Sequence, residues 1–346
     1  MSLDVSAGIQ PFQFPTTTVL VDDHEEYLGM VPLLLDASLH VRGFNSARRA
    51  LAVLGHGGSR PVPGGGWLYR WKDKPSENQE LVALDVDSIH RVVYDPERFS
   101  EVSVVVVDHT MPEMDGLTFC RRLGNPHIGK ILLTGRADDA TAIEAFNSGL
   151  IDRFIRKSDP NAMQKLQMAI FDLQQRYFQR AAAFVSETLA LGNFNFLRDP
   201  AFADVIDTMQ RRFAAIECYV HANPTGLLLL DEDGHGRFLL VQTEDDLRTH
   251  FEIASDQGAP QALLDALRDG EQLAWFETRD GYYHSTTHTP LSQLHPATAV
   301  RGEQWYYYAL IDQVDRFQLQ HVKSYRQWLR EQDQDVPSSL IPDSAG

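Results

Sequence analysis

Between residues 18 and 173 the chain alternates five times between a short β-rich run and a stretch whose apolar residues recur at helical spacing. Thr18-Val19-Leu20-Val21 is the first run, and Glu25 to Leu35 follows it with Tyr27, Val31, Leu34 and Leu35 on one face. Leu39 to Phe44 and Ser46 to Leu54 repeat the unit, with Ser46 as N-cap. Val102 to Val107, Leu117 to Leu123, Ile131 to Leu133, Ala140 to Ser148 and Phe154-Ile155 continue it. Strands separated by helices pair in parallel, because each crossover returns the chain to the same end of the sheet. The predicted class is α/β, a five-stranded doubly wound parallel sheet, with Val102 to Val107 buried on both faces.

A run of breakers from Gly55 to Gly66 interrupts the alternation and opens an insertion spanning about 55–92. Within it, Trp67 to Trp71 and Leu81 to Val86 read as a β-hairpin. From Asp159 onward, helical spacing runs through Leu166, Ile170, Leu173, Tyr177 and Phe184 with no Gly or Pro until Gly192. These steps resemble a heptad seam able to join two chains, so a homodimer is expected. Beyond it, Phe202 to Tyr219 reads as a helix, and Gly226 to Leu230 with Arg237 to Val241 as a hairpin around Asp231 to Gly236. Strands at Leu273 to Phe276 and Trp305 to Ile311 and a helix from Asp315 to Glu331 complete an α+β antiparallel-sheet module. The expected organisation is 16–172, an extended linker helix at 159–191, an output module at 195–331 and a disordered tail at 332–346, after an irregular lead-in over 1–15.

Carboxylates fall where the strands end: Asp22 and Asp23 after the first, Asp108 after the third. In a doubly wound sheet those ends share one crevice. Three converging carboxylates invite a hard cation, and magnesium, which prefers oxygen ligands and keeps several waters, suits a shallow acidic notch. Thr134 and Lys157 end two further strands, adding a hydroxyl and a positive charge where a transferred phosphoryl group needs them.

These residues resemble the receiver domain of two-component response regulators, whose fold is flavodoxin-like. Asp22-Asp23 is similar to the family's acidic pair, and Asp108-His109-Thr110-Met111-Pro112-Glu113-Met114-Asp115-Gly116 to its acceptor signature, with Thr134 and Lys157 following in order. The resemblance implies that Asp108 accepts phosphate from a sensor histidine kinase or phosphotransfer protein. It implies that Asp22, Asp23, Asp108 and the carbonyl of Thr110 hold Mg2+, that Lys157 pairs with the phosphoryl group, that Thr134 turns toward it, and that Phe154 is the aromatic switch. Three features depart from the pattern. The insertion makes the interval from Asp23 to Asp108 about forty residues longer than usual, and serves as a cap, a partner surface or a tolerated surface loop. Ser158 replaces the usual proline, so a trans peptide with a shifted loop, or strain of about 3 kcal/mol, is expected. Gly135 stands where alanine is commoner, loosening the switch loop.

Weaker signals have plainer readings. Asp85, Asp87 and Asp95 lack the accompanying lysine and threonine and read as a solvated hairpin face. His284, His288 and His295 lie in a Thr-rich, Pro-broken stretch that is a poor frame for zinc. His24 and His109 flank the notch as loop residues, and Cys120 is a small core residue. The chain holds two cysteines, Cys120 and Cys218, too far apart in sequence to suggest a disulfide framework or a thiolate metal cluster, and a reducing, cytoplasmic setting fits.

The output is expected to be non-enzymatic: protein interaction or dimerisation. No phosphate loop and no cyclic-dinucleotide signature is found. A formal charge of -17 opposes binding to phosphate backbones, so a DNA-binding regulator is disfavoured, and no run approaches a membrane span. Asn223 to Gly234 and Trp305 to Asp312 resemble the opening hairpin and last strand of PAS-type sensory domains, which keeps a receiver-gated small-molecule sensor or enzyme as the alternative.

Overall fold

A computed structural model of the protein describes residues 9–56, 68–71, 81–135, 139–190, 192–276, 278, 280–286, 290–312 and 314–334. The chain opens with β1 (Phe12–Gln13), β2 (Thr17–Val21), α1 (Glu25–Leu34), β3 (His40–Phe44) and α2 (Ala47–His56). The insertion contributes β4 (Leu68–Trp71), β5 (Leu81–Leu84) and α3 (Val86–His90). Then come β6 (Val102–Asp108), α4 (Gly116–Arg122), β7 (Gly129–Thr134), α5 (Asp139–Asn147), β8 (Arg153–Arg156) and α6 (Ala162–Leu189). Five strands form a parallel sheet in the order β3-β2-β6-β7-β8, the doubly wound class that the alternation predicts, with the crossover falling between β2 and β6. All seven residues of β6 are buried, as a central strand requires. One face is covered by α1 and α6 over Leu20, Val104, Val106, Ile131 and Leu133. The other lies under α2, α4 and α5 over Val19, Val21, Val105, Val107 and Leu132.

The second half runs α7 (Pro200–Phe213), β9 (Glu217–His221), β10 (Gly226–Leu230), β11 (Gly236–Thr243), α8 (Glu244–Asp256), α9 (Gln261–Arg268), β12 (Gln272–Ala274), β13 (Leu294–Pro296), β14 (Thr298–Arg301), β15 (Trp305–Ile311) and α10 (Tyr325–Gln334). An antiparallel sheet has the order β1-β9-β10-β11-β15-β14, with β12 and β13 as a separate pair. The hairpin and last strand expected from the sequence are both present. The last strand pairs with β11, and β9 flanks β10 on its other side.

Several boundaries differ from expectation, each for a local reason. Over its described residues, 9–15, the lead-in is not irregular: Phe12 and Gln13 pair with Tyr219 and Cys218, and Ile9, Phe12 and Phe14 are buried, while residues 1–8 lie outside the described residues. The helix expected over Phe202 to Tyr219 stops at Phe213, where Ala214 turns left-handed at φ 49°, and Glu217 begins a strand. Helical spacing continues through Ile216 and Val220, so periodicity alone does not place the break. The helix expected from Asp315 is two short 3-10 turns divided by Gln318 at φ 48°, followed by α10. Strands β13 and β14 fall in a Pro- and Thr-rich stretch that carries no strand signal. The inserted hairpin exists as β4 and β5, while its turn and the Gly/Pro-rich run before it lie outside the described residues. Most of the tail also lies outside them, although its first residues belong to α10.

The long helix α6 is continuous over 28 residues. Its seam residues Leu166, Ile170, Leu173 and Tyr177 are buried within this chain, so they are not free to pair with a second copy. Phe184 is the exposed exception.

Candidate functional site

The ends of β2, β6, β7 and β8 bring the sequence-predicted residues together. Asp22 follows β2 and is fully buried; its Oδ1 accepts the His24 N–H at 2.9 Å. Asp108 ends β6 at 6% exposure, and its Oδ2 accepts the Thr110 N–H at 3.0 Å. Lys157 follows β8. Its amide donates to the Thr134 carbonyl at 3.0 Å, fixing the backbone, and its Nζ bridges Asp22 Oδ2 at 2.5 Å and Asp108 Oδ1 at 2.6 Å. Burial pulls the Lys157 pKa down, but hydrogen bonds and charge from Asp108 and Asp22 outweigh it and hold the ammonium above its ordinary range. The lysine is therefore the counter-ion of both carboxylates.

Thr134 is fully buried, and its Oγ1 has no hydrogen-bond partner among the described residues. Among the described residues Asp23 Oδ1 is buried without a hydrogen bond, with His24 Nδ1 near it at 3.4 Å, and ligand atoms of Asp22, Asp23 and His24 lie within 4.8 Å of one another. A buried carboxylate oxygen without a hydrogen bond, next to a second carboxylate, is a hard-donor set that fits a divalent cation such as magnesium.

The rest of the acceptor signature shapes the loop. Gly116 begins α4 directly beneath β6: a Cβ there would lie 2.4 Å from the Asp108 carbonyl oxygen and 2.8 Å from a Leu132 methyl. Asp115 caps α4 by accepting the Thr118 N–H at 2.8 Å and its hydroxyl at 2.7 Å. Glu113 accepts the Ser46 hydroxyl at 2.8 Å and the Arg48 N–H at 3.1 Å, tying the loop to the start of α2. Among the described residues the one cis peptide is Asn223-Pro224, so Lys157-Ser158 is trans. Half-buried Phe154 meets Phe146 of α5 edge-on, with centroids 6.4 Å apart.

Other candidates separate from this site. Asp85 is the N-cap of α3, accepting the Ser88 N–H at 3.1 Å and hydroxyl at 2.6 Å, and thus belongs to a helix start, not a hairpin face. Half-buried His284 hydrogen-bonds Asp280, His295 sits in β13 near Trp275, and His288 lies outside the described residues. Burial pushes the Cys120 thiol up to about 12, in keeping with a core residue. Sequence reasoning missed Tyr27, whose ring lies under the Lys157 ammonium at 4.5 Å from the centroid. Its only signal is a place on the apolar face of α1, one turn after Asp23.

A doubly wound sheet whose C-terminal strand ends gather acidic groups, a threonine and a lysine is a receiver fold. A family model of the response regulator receiver domain matches residues 77–170. Among solved structures the chain is similar to the response regulator LqsR of Legionella pneumophila, at 34% identity over 96% of this chain and 97% of that one, with a TM-score of 0.73. The chain belongs to the response regulator family. It is also similar to an adenylate cyclase from Rhodopirellula baltica (23% identity, 51% of this chain, 97% of that one, TM-score 0.34). A receiver domain protein from Clostridium thermocellum matches at 21% identity over 46% of this chain and 95% of that one, with a TM-score of 0.32. No curated protein sequence matches. No described helix is long and apolar enough to cross a membrane.

Proposed function

We propose that Asp108 accepts a phosphoryl group from a histidine kinase or phosphotransfer protein, and that this switches the antiparallel-sheet half as a protein-interaction or dimerisation output. The observation that carries the reading is the Lys157 ammonium bridging Asp22 and Asp108, with the Lys157 amide on the carbonyl of Thr134, whose buried hydroxyl has no hydrogen-bond partner among the described residues. An Asp108 oxygen attacks phosphorus; the O–P bond forms as the N–P bond of the donor phosphohistidine breaks, and the departing imidazole nitrogen keeps the electron pair and takes up a proton. Lys157 follows the charge outward onto the phosphoryl oxygens, and Thr134 supplies a hydroxyl donor to them. Asp22, Asp23, Asp108 and the Thr110 carbonyl would hold magnesium, which when bound screens the negative charge that otherwise repels a phosphoryl donor.

Incubation with acetyl phosphate and magnesium, followed by intact-mass measurement, is expected to add one phosphoryl group. Asp108→Asn should abolish the addition, and undiminished labelling in that variant would overturn the assignment. A small-molecule-binding output is the second reading. It is favoured by a cavity of about 380 Å³ where the two halves meet, lined by Gln210, Arg211, Asp231, Asp233, Tyr325 and Arg326.

A further inference from the structure

Tyr27 lies on the first turn of α1, and its ring presents a face to the Lys157 Nζ at 4.5 Å from the centroid. The same ammonium touches Asp22 Oδ2 at 2.5 Å and Asp108 Oδ1 at 2.6 Å, so it has two anionic neighbours and one aromatic one. The two kinds differ in how they respond to the reaction. A divalent cation drawn to Asp22 competes with the ammonium there, and a phosphoryl group on Asp108 moves the negative charge away from the carboxylate. The ring is neutral, competes for neither ligand and stays where α1 holds it. Its hydroxyl has no hydrogen-bond partner among the described residues, so no such bond accounts for an aromatic side chain at this position.

We infer that Tyr27 is a positioning residue for phosphoryl transfer, its aromatic face holding the Lys157 ammonium against Asp108 when Asp22 is engaged by a cation. This rests on the reading of Asp108 as acceptor and extends it to a side chain that touches neither the phosphoryl donor nor the metal ligands' carboxylates in a bonding role. Tyr27 also packs against the core face beneath α1, so a purely structural role is the competing account. The two accounts differ for substitutions that keep apolar volume but change the π face.

The test uses the full-length chain with Tyr27→Phe and Tyr27→Leu. Leucine retains apolar contact without a quadrupole; phenylalanine retains the ring without the hydroxyl. With saturating magnesium and acetyl phosphate, Tyr27→Leu is expected to slow phosphorylation of Asp108 about three- to tenfold, the range a partly desolvated cation–π contact supports. Tyr27→Phe should stay within about twofold of the parent. A second readout needs no phosphorylation: the side-chain ε-CH2 protons of Lys157, observed by NMR with selectively labelled lysine, should be shifted upfield by the ring in the parent and in Tyr27→Phe, and should lose that shift in Tyr27→Leu. Equal rates for all three proteins, or a loss in Tyr27→Phe as large as in Tyr27→Leu, would overturn the inference. So would ε-CH2 signals indifferent to the leucine substitution. If even the parent is not modified at Asp108, the acceptor reading fails on its own, and the NMR comparison still decides whether the ring seats the lysine.

Discussion

A methyl group at position 116 would press into the carbonyl oxygen of Asp108, at 2.4 Å, and a Leu132 methyl, at 2.8 Å. Neither neighbour yields easily, since one is backbone of the central strand and the other a core side chain. Gly116→Ala is therefore expected to lower stability by about 1–3 kcal/mol, as overpacking does, and, on the proposed acceptor role of Asp108, to slow phosphorylation by displacing its backbone. Thermal denaturation and acetyl phosphate labelling of the variant check both effects; a melting temperature equal to the parent's would mean that α4 can retreat freely. The same contact explains why the residues of this site were legible in the sequence. Asp108, Asp115 and Gly116 are bound to one another by short-range geometry, so chemistry and spacing are written together. Tyr27 and Glu113 were not legible as site residues because their roles depend on where β8 and α2 arrive from elsewhere in the chain. Arg98 and Glu217, a fully buried ion pair at 2.7 Å, escaped for the same reason: 119 positions separate them.

At the scale of elements, the parallel sheet could be read because each strand signals itself by a continuous apolar run and each helix by its period. Reading failed where one period ran across a change of element, as between α7 and β9, or where a strand was only two residues long, as with β1. The heptad-like spacing of α6 is a different case: the pattern is real, but the chain uses it to bury the helix against its own two sheets. Pairing of two copies therefore needs another surface. Ile143 and Phe146 on α5 are 48% and 43% exposed, and Phe146 contacts Phe154, three residues before Lys157. On the proposed acceptor role of Asp108, a shift of Phe154 on phosphorylation would reach that surface through this contact. If this face joins two chains, acetyl phosphate should raise the mass measured by light scattering toward the dimer, and Phe146→Ser should weaken that response about tenfold or more, as loss of a central aromatic contact does. A response unchanged in the variant would place pairing elsewhere.

Across the whole molecule, one buried cluster runs from Val105, Val107 and Leu132 beneath the parallel sheet through Phe99, Tyr177 and Phe178 to Tyr219, Leu228 and Phe238 of the antiparallel one. The chain ties the halves in both directions. β1 joins the second sheet before β2 starts the first, and the Tyr325 hydroxyl of α10 donates to the Ser38 carbonyl at 2.8 Å. The segment after the inserted hairpin adds Arg98, whose guanidinium meets Glu217 and donates to the Lys323 carbonyl at 2.9 Å. A shared core predicts a single cooperative unfolding transition. Imidazoles withdrawn from solvent, His40 and His90 among them, make that transition sensitive to acid. His40 packs edge-on against Trp328, and His90 lies 4.7 Å from the ring of His221. Burial, with Arg42 nearby, lowers the His40 pKa to about 4; burial, then His221, lowers that of His90 to about 4. In the unfolded chain both would titrate near 6.5, so between these values the unfolded state binds more protons. Their contribution is thus complete above pH about 6.5 and is lost as pH falls toward about 4, on the order of 2–4 kcal/mol together after allowing for partial solvent screening of His90. Calorimetry between pH 7.5 and 4.5 should show one transition whose midpoint falls steadily. The combined His40→Gln and His90→Gln variant should make that slope shallower, whatever its stability at neutral pH, while His250, whose pKa burial likewise lowers to about 4, and His221, also lowered, leave a remainder. An undiminished slope would assign the acid sensitivity to other groups, and two resolved transitions would show that the halves melt apart despite their common core.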